Sequence, residues 1–264
     1  MNAYQFSAGT LPLLLSIPHA GTMLTPEVEA GLSDEAQSLP DTDWHIPELY
    51  DFAREMGVSV LSANYSRFVI DLNRPPDNQA LYTTATTGLY PETLFDGTPT
   101  FKPGITPDAS LRHLWLQQIW QPYHDKIQHE LAQIKRRFGY ALLFDAHSIA
   151  SRVPRLFDGQ LPDINLGTNG GASCTPAMAQ SLTQCCAAQS AFSWVVNGRF
   201  KGGYITRAYG KPGENQHALQ LELAQCNYMD EHPPFAWRSD KAQRVQPLLK
   251  QLMETMLQHH RRQA

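Results

Sequence analysis

The sequence predicts an α/β fold, a single-domain, three-layer α/β/α sandwich around a mixed, mainly parallel sheet. Three observations carry this: apolar runs stop in polar clusters, helical patterns lie between those runs, and no repeat, low-complexity block or linker divides the 264 residues. With 42% hydrophobic residues, the chain can bury a sizeable core.

In chain order, "LPLLLSIPHAG" reads as a buried strand feeding a loop at Pro18, His19 and Gly21. "HIPELYDFAREMG" carries a helical pattern closed by Gly57. "VSVLSANYSRFVIDLNR" supplies two β-rich runs, the second ending in Asp71, Asn73 and Arg74, groups that are costly to bury unless something meets them. The segment 75–107 is rich in Pro, Thr and Gly, and a loop that long in a compact domain is a lid, a binding loop or disordered. Its aromatics, Tyr82, Tyr90 and Phe95, favour an ordered flap that covers a substrate.

"DASLRHLWLQQIWQPYHDKIQHELAQIKRRFG" predicts a long helix closed by Gly139, which Pro122 should kink or divide near Gln121. "YALLFDAHS" is a further short apolar strand. There follow "LPDINLG", a helix over about 176–188, the strand "FSWVVNG", a Gly-rich hairpin in "RFKGGYITRAYG", the alternating strand "HALQLELAQ" and a terminal helix over about 240–260.

The formal charge of −4 offers no field for a polyanion or an anionic membrane surface, which argues against nucleic acid. No apolar run approaches the roughly 20 residues that span a bilayer, and the first residues lack a signal-peptide pattern, so the expectation is a cytoplasmic protein. Cys174, Cys185, Cys186 and Cys226 show no CxxC spacing and read as buried or free thiols.

In open α/β sheets ligands collect at the carboxyl ends of the strands. His19 and His147 each follow an apolar strand, and Asp145 shares a strand face with His147. "LPDTDWH" adds Asp41, Asp43 and His45 on a loop. One His at a strand end is ordinarily a hydrogen-bonded loop residue, and Asp41 and Asp43 could simply cap a helix. Their joint placement instead predicts a divalent-metal site of His, carboxylate and His. In "HALQLELAQ" Gln220 and Glu222 share one face opposite Leu219, Leu221 and Leu223, which makes Glu222 either a solvated strand residue or a general base. Arg207 would ride the hairpin towards the site.

"SIPHAG", "DTDWH", "SRFVIDLNRPP", "LLFDAHS", "NGRFKGGYITRAYG" and "HALQLELAQ" occur in this order from about residue 11 to 226. Together they resemble the N-formylglutamate amidohydrolases, and "DLNR" resembles an element of aspartoacylase and succinylglutamate desuccinylase, relatives in fold of the zinc carboxypeptidases. The resemblance implies hydrolysis of N-formyl-L-glutamate to L-glutamate and formate, in histidine degradation, with one divalent metal ion, zinc or another. "HAGT" lacks the Glu that carboxypeptidase-type enzymes carry three residues after the first His, so Asp43 stands in beside His19 and His147, with Asp41 and His45 in reserve. Asp145 would support a ligand His, and Glu222 would be the base. A substrate with two carboxylates asks for guanidinium forks, so Arg74 and Arg207 would grip them, with Asn73 as an added donor, Arg67 as a further candidate and Asp71 orienting Arg74. Another metal-dependent N-acyl amino acid deacylase, or a binding protein without catalysis, is the competing expectation.

Overall fold

A computed structural model describes residues 1–81 and 86–261, without side-chain detail at 259–261. The elements are β1 (Tyr4–Ser7), β2 (Leu13–Ile17), α1 (Pro26–Gly31), α2 (Ile46–Leu49), α3 (Phe52–Glu55), β3 (Ser59–Ala63), α4 (Ala109–Trp115), α5 (Gln121–Phe138), β4 (Ala141–Ile149), β5 (Ile164–Gly167), α6 (Pro176–Ala187), β6 (Trp194–Val196), α7 (Tyr204–Tyr209), β7 (Gln216–Ala224) and α8 (Ser239–Arg261). The strands form one seven-stranded sheet in the order β1-β3-β2-β4-β7-β5-β6. β3, β2, β4 and β7 run parallel, β5 pairs with β6 in parallel, and β1 and β5 lie antiparallel to β3 and β7, so the sheet is mixed and mainly parallel.

Each face of the sheet has its own core. Leu13, Leu15, Ile17, Leu142, Phe144, Ala146, Leu219, Leu221 and Leu223 pack with residues of α2, α6 and α8. Leu14, Leu61, Leu143 and Ala218 pack with residues of α4, α5 and α7. This is the α/β/α sandwich expected. Period-two alternation decides which core each strand residue joins.

Three local expectations change. β3 ends at Ala63, and the apolar residues Phe68, Val69 and Ile70 lie in a buried turn instead of a strand. Burial alone gives an apolar run no strand identity, because a strand also needs a ladder partner. Here the backbone is satisfied outside any ladder, Val69 N–H by Ser66 O at 3.0 Å within the turn, and Asp71 N–H by Leu89 O of the long loop at 2.8 Å. "HIPELYDFAREMG" resolves into two single turns, α2 and α3, before Gly57 at φ +85°. "RFKGGYITRAYG" forms no hairpin. Gly203 precedes the helix α7, in which Arg207 is half-buried.

Pro122 acts as expected, and the mechanism is visible. Residues Leu116–Trp120 widen into a π-helical turn, in which Gln121 N–H donates to Leu116 O five residues back. Proline has no N–H for the α-helical bond to residue 118, and the wider turn absorbs that loss. Gly139 closes α5 at φ +81°, and its N–H donates to Lys135 O. The loop over 75–107 packs where it is described, with Leu89, Leu94 and Phe101 buried, whereas Tyr82 lies outside the described residues. None of the described helices is long and apolar enough to cross a membrane.

Candidate active site

The α4–α5–α7 face changes character towards the carboxyl ends of its strands. β4 presents Ala141 and Leu143 to the helices and then Asp145 and His147; β7 presents Ala218 and then Gln220 and Glu222. The register sets Asp145 beside Gln220 and His147 beside Glu222. All four are buried. Buried polar groups on central strands must find partners or a ligand, and here they find each other.

His19 leaves β2 through Pro18, and its carbonyl accepts from Asp43 N–H at 3.0 Å, which draws the Asp41–Asp43 loop over the strand end. Gly21 permits this path, since a Cβ there would stand 2.4 Å from Tyr65 O. His19, Asp43 and His147 thereby bring one ligand atom each to within 4.8 Å of one another, all three residues buried. Asp43 Oδ2 lies 3.2 Å from His147 Nδ1 and 3.9 Å from His19 Nδ1. The opposite ring nitrogens are backed by carboxylates, His19 Nε2 by Asp71 Oδ1 at 2.7 Å and His147 Nε2 by Asp145 Oδ2 at 3.0 Å. A carboxylate behind an imidazole fixes the ring and leaves the other nitrogen to serve as a donor. Asn73 Nδ2 also reaches His147 Nε2, at 3.0 Å.

The two histidines titrate in opposite directions. Burial lowers the His19 pKa and outweighs Asp71, whose charge is shared with Arg67. For His147 burial also acts downwards, but Asp145 and Asp43 together override it and hold the ring well above its ordinary value. Burial would raise Asp71, yet His19, Arg67 and Arg74 hold it well below the carboxylate range. Glu222 is pushed up to about 8, chiefly by burial, with Asp43 and Asp145 adding to it against His147 and Arg67. Its Oε2 accepts from Gln220 Nε2 at 3.2 Å.

Asp71 is a hub. It binds His19, accepts from Arg67 Nη2 at 2.7 Å and accepts from Asn73 N–H at 2.8 Å. It therefore orients Arg67, whereas the Arg74 guanidinium is held by Thr87 O at 2.7 Å, Asn73 O at 3.0 Å and Thr86 Oγ1 at 3.1 Å. Asn73 sits against the start of α7, where its Oδ1 accepts from Ile205 N–H at 2.9 Å. Gly203 is required there, because a Cβ would meet Asn73 Nδ2 at 2.3 Å.

A cavity of about 60 Å³ opens onto His19, Asp43, His147 and Glu222. Arg67, Asn73 and Arg74 line it, as do Thr86, Thr87 and Phe95 of the long loop. Arg207 does not line it; its Nε donates to Gly202 O at 2.8 Å, tied down by the helix that replaced the hairpin. Arg199 lines the cavity instead. It lies in "NGRFKGG", in the same Gly-rich stretch as Arg207, and nothing in its spacing distinguishes it from Arg207. Asp41 and His45 stay apart from the triad. Asp41 Oδ2 accepts from Phe95 N–H at 2.8 Å, and burial pushes its pKa up to about 7. His45 Nε2 bonds Phe235 O at 2.7 Å, from a backbone at φ +60°.

The family model of N-formylglutamate amidohydrolase matches residues 11–229. The chain belongs to the N-formylglutamate amidohydrolase family. N-formylglutamate deformylase of Pseudomonas aeruginosa is 60% identical over 252 residues, covering 96% of this chain and 95% of that protein. N-formylglutamate deformylase of Pseudomonas putida is 59% identical, covering 96% and 94%. The crystal structure of N-formylglutamate amidohydrolase from Ralstonia eutropha superposes with a TM-score of 0.82 at 21% identity over the whole of both chains, which shows a shared fold. The matched span contains His19, Asp43, Asn73, His147 and Glu222.

Proposed function

We propose that the protein hydrolyses N-formyl-L-glutamate to L-glutamate and formate, with one divalent metal ion held by His19, Asp43 and His147. The observation that carries this reading is the meeting of that triad with buried Glu222 in one cavity bordered by Arg74 and Arg199. Two imidazole nitrogens and a carboxylate oxygen, buried together and braced from behind by Asp71 and Asp145, suit a divalent ion, and zinc matches such a donor set best. Such an ion supplies Lewis acidity that polarises the acyl carbonyl and makes water more acidic.

The chain's own groups account for the rest. The Glu222 carboxylate takes a proton from the attacking water and returns it to the amine nitrogen as the C–N bond breaks. Arg74 and Arg199 take the two carboxylates of glutamate, Asn73 adds a donor beside Arg74, and Arg67 is a third guanidinium within reach. A cavity of about 60 Å³ falls well short of the roughly 300 Å³ typical of ligand sites, so the 75–107 loop, which lays Thr86 and Thr87 on Arg74, acts as a cover that shifts to admit substrate. The last step of histidine degradation is the setting this reading gives the reaction. Four free cysteines favour a reducing compartment, the cytoplasm.

The test is formate release from N-formyl-L-glutamate by purified protein, before and after exhaustive chelation. Turnover abolished by chelation and restored by zinc is expected. Formate release that survives metal removal would sink the metal's role, and none from metal-replete protein would sink the substrate.

A further inference from the structure

The backbone of Leu72, Asn73 and Arg74 is held by two helices that carry no residue of the metal triad. Trp120, the last residue of the π-helical turn, donates from Nε1 to Arg74 O at 3.0 Å, and His124 on α5 donates from Nε2 to Leu72 O at 2.9 Å, one bond on each side of Asn73. From α7, Tyr204 N–H donates to Asn73 O at 3.3 Å and Ile205 N–H to Asn73 Oδ1 at 2.9 Å. The carbonyls of all three residues are thereby fixed. The two helices are also tied to each other, because His124 Nδ1 accepts from Tyr209 OH at 2.9 Å.

Trp120 and His124 stand four residues apart, so they share a helix face, and their rings stack with centroids 3.8 Å apart. Both are buried. Trp115 is buried in the same core five residues earlier, yet its Nε1 has no hydrogen-bond partner among the described residues. Packing accounts for a tryptophan at 115, whereas the indole N–H at 120 has a specific acceptor.

The stretch so held is one that meets the candidate active site. Asn73 Nδ2 lies 3.0 Å from His147 Nε2, and Asn73 and Arg74 both line the cavity. Arg74 is also the last residue before the 75–107 loop, and its guanidinium donates to Thr86 Oγ1 and Thr87 O of that loop. A shift of the loop breaks those bonds. The bonds to Leu72 O and Arg74 O come from the helical side and survive it.

Resting on the reading that Arg74 grips a substrate carboxylate, we propose that Trp120 and His124 are positioning residues for Arg74 and Asn73: they clamp the backbone on either side of Asn73, so that both side chains keep their aim into the cavity when the loop shifts. Neither ring lines the cavity, so both act through the stretch they hold.

The experiment measures kcat, KM and metal content with N-formyl-L-glutamate for the native enzyme, Trp120→Phe, Trp115→Phe, Arg74→Lys and the double variant Trp120→Phe/Arg74→Lys, with His124→Leu and His124→Gln alongside. Trp120→Phe keeps a ring and removes the N–H, so kcat/KM should fall by about 3- to 10-fold, the range of one hydrogen bond, mainly through KM and with metal retained. Trp115→Phe should keep the native kcat/KM. In the Arg74→Lys background the loss from Trp120→Phe should shrink below about twofold, because residues that act through one another are not additive. Gln offers an amide N–H near the place of His124 Nε2, so His124→Gln should recover most of the kcat/KM that His124→Leu loses. A folded Trp120→Phe enzyme with native kcat/KM overturns the clamp, as does an equal loss in Trp115→Phe or an undiminished loss beside Arg74→Lys. If Trp120→Phe does not fold, the His124 pair decides, and equal losses in its two members overturn the clamp. A native enzyme that does not turn over N-formylglutamate overturns instead the function on which the clamp rests.

Discussion

The two faces of the central sheet are built from the same strands and do different work. On the α6–α8 side β7 presents Leu219, Leu221 and Leu223 without interruption, and β4 presents Leu142, Phe144 and Ala146. On the other side the same strands give way to Asp145, His147, Gln220 and Glu222 near their carboxyl ends. One face contributes by excluding water from apolar area, the other by holding polar groups that pair with one another. Adjacent residues such as Leu221 and Glu222 should therefore fail in different ways.

The largest effect should come from His147→Ala, which removes a ligand atom and exposes Asp43 and Asp145 to each other: bound metal falls below stoichiometry and turnover falls to background. Full metal content in that variant, measured by elemental analysis, would break the comparison at its strongest point. Glu222→Gln keeps shape and removes the base, so kcat should drop by about 10² to 10⁴ with metal retained. Leu221→Ala, one residue away, should leave kcat per folded molecule near native and lower stability by about 2 to 5 kcal/mol in urea titration. A Leu221→Ala enzyme as catalytically impaired as Glu222→Gln would show that the faces are not separable. Smaller again is Arg74→Lys. It keeps the charge and loses the planar fork, so kcat/KM for N-formylglutamate should fall by about 10- to 100-fold, the worth of the lost charged hydrogen bonds.

The apolar face was the more legible one in the sequence. Alternation in "HALQLELAQ" and the unbroken run in "YALLFDAHS" fix strand identity and facing without reference to anything distant. The ligand-type residues were legible as candidates, because His19 and His147 follow apolar strands and Asp43 lies with Asp41 and His45 on the loop before a helix. The wall of the cavity was not. Arg199 and Phe95 reach it through loops whose paths depend on long-range bonds, such as Phe95 N–H to Asp41 across 54 residues. Arg207 illustrates the converse. Two glycines signalled a turn, but they serve a close approach to Asn73 and the entry to a helix, which carries the arginine elsewhere. "FVIDLNR" reads as a strand because burial and β-branched residues suit one, yet its carboxylate does more as a hub for His19, Arg67 and the Asn73 backbone than a strand end would allow.

The smallest effect separates two buried histidines on the polar side. His147 is surrounded by carboxylates, while His124 on α5 has neutral partners among the described residues. Its Nε2 lies 2.9 Å from Leu72 O and its Nδ1 lies 2.9 Å from Tyr209 OH. A carbonyl can only accept, so Nε2 carries the proton and Nδ1 accepts from the tyrosine hydroxyl. Burial pushes the His124 pKa down to about 3, against only a small upward pull from its bond to Leu72. The unfolded chain protonates this ring near its ordinary 6.5. Below that pH the unfolded state binds the extra proton and the native state does not, so stability is full above about 6.5 and falls as pH drops towards 3, by up to about 1.4 kcal/mol per pH unit. His124→Gln should be less stable at neutral pH, where it loses a well-paired ring, and flatter between pH 6.5 and 5. Urea unfolding of both proteins at several pH values measures the two slopes, and equal slopes would mean that acid sensitivity arises at the carboxylate-rich end of the face instead.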